Sequence, residues 1–375
     1  MKLTRRDALA LLAAAPSALR ALPSSGRLLR LYVGTYTEPN EFHHVFSKGL
    51  YTCTFDPDTG ALSPFQLAAA CPDPSFLAFS PRTRQLFTTN ERGEGDGSIT
   101  VFALASEASP KKLNIVPSGG EGPCHIALNR TGGALFAANY NSGTLSSFRV
   151  GPRGLSGPVS NIRLTAPGAA AHTHCVLPSP DNRFLLVNDL GLDRIFVFHL
   201  DAKTATLTPA ATPFWSAAPG SGPRHSAFHP GGRWVYSLNE TSSTLDHLEW
   251  KDGSLTHQGT VSTLPASAQG ARNAPAELLI EPSGRFLYLT NRFHDSIAVF
   301  SLDPEQGSPK LLQDISSNGS SPRHLALDPS GRWLLVANSD GDGSITVLAR
   351  DPQTGLLTAT NRSYPLHAAA CLLFT

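Results

Sequence analysis

Residues 222–240 read GPRHSAFHPGGRWVYSLNE. The segment sets a guanidinium beside an imidazole, Arg224 and His225, and closes on the carboxylate of Glu240. Such a set can grip an anion, move a proton near neutral pH and stabilise developing negative charge. The outline returns as PRHLALDPSGRWLLVAN at 322–338 and PAELLIEPSGRFLYLTN at 275–291. Further copies are THCVLPSPDNRFLLVND at 173–189, PCHIALNRTGGALFAAN at 123–139 and PSFLAFSPRTRQLFTTN at 74–90.

Each copy is a short apolar strand, a Pro/Gly-type turn and a second apolar strand, so antiparallel pairing brings its two ends to one rim. With the turn of 222–240 centred between Gly231 and Gly232, pairing sets Arg224 opposite Asn239. That rim then carries Ser75, Cys124-His125, His174-Cys175, Arg224-His225, Ala276-Glu277 and Arg323-His324. Facing them are Asn90-Glu91, Asn139-Tyr140, Asp189-Leu190, Asn239-Glu240, Asn291-Arg292 and Asn338-Ser339.

Hydrolysis of an ester-like bond needs a base for water, donors for the oxyanion and a grip on any acid group. Arg224, Arg323 and Arg292 suit the grip, since a guanidinium matches carboxylate and phosphate; inter-blade salt bridges are their bland alternative. Glu240 and Glu277 are candidate bases, kept ionised by those arginines, with structural pairing as the alternative. His125, His174, His225 and His324 can shuttle protons, although a single rim histidine is more often structural. His172 and His174 share one strand face, but no carboxylate stands at a matching short spacing, so neither metal nor other cofactor is expected. Asn139 and Tyr140 join the candidate ligand contacts, while the asparagine series as a whole suits turn closure. Tyr36 could also line the pocket or simply pack.

The elements that must position these groups are strands. The first four copies begin roughly fifty residues apart, the period of propeller blades rather than helical solenoids. Third strands such as SITVFAL, TLSSFRV, RIFVFHL and SIAVFSL follow the copies, with a weaker fourth strand after each. RLYVGTYT near the N-terminus has the look of a second strand lacking its first, and HAAACLLFT at the C-terminus of a first strand lacking its second. Joined, they complete a seventh unit. The expected fold is an all-β, seven-bladed β-propeller whose ring closes by pairing N- and C-terminal strands in one blade, which removes open sheet edges. Residues 27–375 form this one domain.

The chain of 375 residues holds 32 Gly and 30 Pro and has a net charge of +1. That balance offers no electrostatic case for nucleic acid or an anionic membrane, and no apolar run reaches the ~20 residues of a spanning helix. MKLTRRDALALLAAAPSALRALPSSG at 1–26 has the order of an export signal, with Arg5-Arg6 marking a twin-arginine type, so a periplasmic or secreted, monomeric protein is expected. A disordered or amphipathic N-terminal helix is the alternative. Five cysteines (Cys53, Cys71, Cys124, Cys175, Cys371) lack CxxC spacing. They read as small buried residues rather than a zinc cluster, and at most two disulfides could form.

LYVGTYT, ANYNSGT, VNDLGLDRI, GPRHSAFHPGGRWVYSLNE, LTNRFHDSIAVF and PRHLALDPSGRWLLVANSDGDGSITV together resemble the lactonase family of seven-bladed propellers. That family includes a bacterial 6-phosphogluconolactonase and a fungal carboxymuconate-lactonising enzyme, and the resemblance runs from Leu29 to the end. It implies a cofactor-free hydrolase of an anionic, sugar-acid type lactone. By blade position, the fungal enzyme's acid/base His and Glu fall on His174 (His172 as second choice) and Glu240. Its substrate-holding arginines fall on Arg224 and Arg292. Cys124 and Cys175 at the rim, and the insertion EPNEFHHVFSKG at 38–49, depart from the pattern and bear on substrate identity. Two alternatives stay open: a muconate-type cycloisomerase, and an exported propeller that binds a ligand or protein without catalysis. Export favours the latter, because 6-phosphogluconolactone is a cytosolic sugar phosphate.

Overall fold

The computed structural model describes residues 27–38, 46–93, 95, 97–104 and 109–375. The expected export signal at 1–26 and most of the 38–49 insertion lie outside them. Among the described residues the chain forms seven antiparallel sheets. Their inner strands are Leu77–Ser80, Pro123–Leu128, Thr173–Pro178, Pro223–Phe228, Ala274–Ile280, Ser320–Leu327 and Ala369–Phe374. Each packs against the inner strands of both neighbouring blades, so the seven make a closed ring around a central channel.

The closing blade is the joint expected from the two half-units. Leu29–Thr35 pairs antiparallel with Ala369–Phe374, Leu31 opposite Phe374 and Gly34 opposite Cys371, and Gly49–Asp56 follows on its outer side. Gly34 has no room for a side chain: a Cβ there would stand 2.0 Å from the Pro74 carbonyl oxygen of the next blade.

Turn chemistry sets the hairpins. Asp328 accepts from the backbone N–H groups of Arg332 and Trp333 at 2.9 and 2.8 Å, and Asn129 does the same for Gly133 and Ala134 at 2.9 and 3.0 Å. Such side chains replace backbone partners in a tight turn. Between blades, alternate residues of the second and third strands interdigitate. Phe136, Val187 and Phe198 share one cluster, and Leu238, Leu287 and Phe300 another. Outer turns lock the blades further. Gly307 (φ 69°) lies against the Trp234 ring, where a Cβ would approach to 2.6 Å, so both its backbone conformation and its contact call for glycine.

The register at the rim differs from simple hairpin counting. Pro223, not Arg224, pairs with Asn239, and pairing resumes at His225 opposite Leu238. Arg224 is therefore the extra residue of a β-bulge. The same shift falls at Cys124, His174 and Arg323, over Ala276-Glu277, and at Ala370 in the closing blade. Proline stands just before the bulge in four blades, at 123, 223, 275 and 322, where its missing N–H costs no ladder bond.

Candidate functional site at the channel mouth

In the six blades that carry it, the bulge re-aims the rim side chains and so sorts them into two tiers. The bulged residues Cys124, His174, Arg224 and Arg323 make the upper tier. The residues after them make a lower tier of His125, Cys175, His225, Glu277, His324 and Cys371, joined by Phe76.

The lower tier is a packed floor. Glu277 stands between two histidines, 3.2 Å from Nδ1 of His225 and 3.4 Å from Nε2 of His324. The His125 ring lies 5.0 Å from that of His225 and 4.2 Å from that of Phe76. His125 Nε2 is 3.8 Å from the Cys175 sulfur, and His324 Nε2 is 3.5 Å from the Cys371 sulfur. Burial, then neighbouring positive charge, pushes His125 and His225 well below the ordinary histidine range; burial also lowers His324, against the pull of Glu277. These imidazoles are neutral at pH 7 and close the channel.

Above the floor, Glu240 is bridged by two guanidiniums: Arg224 Nε at 2.7 Å from Oε2 and Arg292 Nη2 at 2.9 Å from Oε1. Arg224 also donates to the Ala276 carbonyl, and Arg292 to that of Ala274 at 2.9 Å, so both are fixed from the neighbouring backbone. Burial would raise the Glu240 carboxyl, but Arg292, Arg224 and Arg323 outweigh it and hold it below the usual range. Burial and the crowding of the other two cations pull Arg292 down to about 10, even against Glu240. Arg323 donates to the Tyr36 hydroxyl at 2.6 Å, and that hydroxyl donates to Glu91 at 2.9 Å. His174, of the upper tier, has its ring 5.1 Å from that of His225 and 5.5 Å from that of Tyr140. Burial, with Arg224 next, holds it neutral. A narrow space of about 10 Å³, room for about one water molecule, lies here, bounded by Glu91, Arg224, Arg323, His225 and Glu277 among others.

The residues expected at one rim are thus gathered, with revised roles. Glu277 pairs with His225 and His324 rather than with an arginine, although it lines the same cavity as Arg224 and Arg323. His125, His225 and His324 go to the floor with it. Asn139 is wholly buried and donates to Ser118 and Thr144, the turn-closing role. Tyr140 stacks on His172 at 4.6 Å and meets the His174 ring edge-on at 5.5 Å. Among the described residues no group of three or more His, Cys, Asp or Glu is placed to hold a metal ion. Glu91 and Tyr36 were on the rim or near it in the sequence, yet nothing in the repeat marked them as partners, because Tyr36 belongs to the closing blade.

Comparison settles which family this ring belongs to. The model of the seven-bladed β-propeller lactonases matches residues 30–374, and the chain is a member of that family. Some of its relatives carry matching names. The 6-phosphogluconolactonase of Bacillus subtilis is 31% identical over 352 residues, spanning 92% of this chain and 97% of that one. That of Formosa agariphila is 30% identical over 359 residues, spanning 92% and 99%. Among solved structures, the periplasmic gluconolactonase of Pseudomonas aeruginosa superposes with a TM-score of 0.85 at 32% identity, covering 93% of this chain and 99% of that chain.

Proposed function

We propose that this propeller is an exported hydrolase that opens a sugar-acid lactone at the channel mouth. The observation that carries the reading is the bridging of Glu240 by Arg224 and Arg292 beside a third guanidinium, Arg323. Three cations around one ionised carboxylate leave a positive mouth, suited to an oxyanion and to the carboxylate that forms. Arg224 and Arg323 are the donors to the carbonyl oxygen as it gains charge. Glu240 accepts a proton from the attacking water. Its two guanidinium partners make it a weak base, but a ring ester is a reactive acyl group and asks little of one. The water oxygen bonds to the acyl carbon, the acyl–oxygen ring bond breaks, and the ring oxygen leaves as a hydroxyl. Neutral His174 offers a hydrogen bond to sugar hydroxyls without adding charge.

The family and the periplasmic relative support the lactone class, and the leader at 1–26 supports work outside the cytoplasm. The test is acid release by the mature protein from a panel that includes gluconolactone and 6-phosphogluconolactone, repeated with R224A and E240Q. Turnover that both variants abolish or cripple supports the site. Turnover that both retain places the chemistry elsewhere, and no turnover on any lactone favours a binding propeller.

A further inference from the structure

Two carboxyl groups share this mouth, and their surroundings differ. Glu240 is clamped by guanidiniums on both oxygens. Glu91 lies on the other side of Arg323, which interacts electrostatically with both carboxyl groups. Among the described residues no guanidinium bridges Glu91; the Tyr36 phenol does, since its hydroxyl donates to Glu91 at 2.9 Å and itself receives Arg323 at 2.6 Å. Ser75 also reaches its carboxyl. Arg92, the next residue, turns outward to Glu38 and Asp73. Glu91 thus bounds the cavity with its charge countered only through Tyr36 and from a distance.

We propose that Glu91, held by Tyr36 and lining one cavity with Arg224, the partner of Glu240, is the proton donor to the ring oxygen of the lactone. This rests on the hydrolase reading above and completes its proton balance. Glu240 takes one proton from water as hydroxide adds to the acyl carbon. As the acyl–oxygen bond breaks, its electron pair goes to the ring oxygen, which takes the Glu91 proton. Exchange with solvent then returns Glu240 to the carboxylate and Glu91 to the acid, and the new acid ionises. The charged and titratable groups that face Glu91 are Arg323, Tyr36, Asp73 and Cys124, with Arg224, His225, Glu277 and His324 around the same cavity. Burial raises its carboxyl despite Arg323, opposite to the displacement of Glu240, and two carboxyl groups pushed apart in this way divide acid from base.

A proton donor matters only when the leaving group needs one. E91Q is therefore compared with wild type on gluconolactone, whose leaving group is an alkoxide, and on dihydrocoumarin, whose leaving group is a phenoxide. The expected result is a fall in kcat of about 10²-fold on the sugar lactone, a fall of less than about 3-fold on the aryl lactone, and loss of the alkaline limb of kcat/KM on the sugar lactone. E240Q, by contrast, slows both substrates alike. Should E91Q fold poorly, the wild type alone decides: its alkaline limb is present with gluconolactone and absent with dihydrocoumarin. Equal losses on both lactones, or an alkaline limb common to both, overturn the assignment while leaving the hydrolase intact. Absence of wild-type turnover on every lactone removes the hydrolase reading and this assignment together.

Discussion

The Nε atom of Arg224 stands 2.7 Å from Oε2 of Glu240, and both residues belong to a single hairpin. One leaves the inner strand at its bulge, the other follows the end of the second strand. Removing the Arg224 guanidinium leaves Glu240 with Arg292 and strips one donor from the oxyanion position. R224A is expected to lower kcat/KM for the lactone substrate by about 10²–10³-fold. R224K should recover little of it, because an ammonium cannot span Glu240 and the Ala276 carbonyl as the planar fork does. Steady-state kinetics on the two variants check both statements.

Glu277 joins His225 and His324 inside the floor. In E277Q the amide can serve one imidazole well but not both, leaving a buried polar nitrogen without its acceptor. We expect a loss of about 1–3 kcal/mol, read as a lower midpoint in urea with an unchanged slope. An unchanged midpoint means the pair adds nothing to stability.

The four buried imidazoles give stability a pH dependence. In the unfolded chain each protonates near pH ~6.5, whereas His125, His174, His225 and His324 in the fold resist protonation until lower pH. Over that interval the unfolded chain binds more protons, so stability is full above pH ~6.5 and declines as the pH falls below it. Glu91 and Asp189, both raised by burial, pull the other way at the acid end, but two carboxyl groups oppose four imidazoles. Thermal unfolding followed from pH 8 to pH 5 should show a falling Tm, and a flat profile would contradict neutral burial of the floor.

All five cysteines are free thiols. Burial pushes Cys53 and Cys175 up to about 12 and Cys71 to about 11, and raises Cys124 well above the usual thiol range. Since the thiolate is the reactive form, a thiol-reactive dye at pH 8 should label the folded protein very slowly. After unfolding in denaturant it should count five groups. A count of three or one would reveal disulfides.

Much of this could be read from residue order alone. The fifty-residue recurrence gives the blades, and the half-units RLYVGTYT and HAAACLLFT give the closure, because strand patterning and turn residues are local properties. The bulge is not local in that sense. Counting outward from Gly231 and Gly232 puts Arg224 against Asn239, and only the packing of seven inner strands around a narrow bore decides that Pro223 takes that place. Asp, Asn and Glu side chains at the turns advertise themselves by type, as with Asp328. The Tyr36–Glu91 contact does not, since it joins the chain's closing blade to its first full copy and repeats nowhere else.

The kink at the rim has a wider meaning for how such a mouth can change. Each of the six bulged blades offers one slot above and one below, filled here by thiol, imidazole, guanidinium, carboxylate or methyl groups on the same backbone path. A swap at Cys124 or Ala370 re-tailors what the opening admits while the plug beneath keeps its own residues. Ligand preference can then drift one slot at a time, with the ring itself left unaltered.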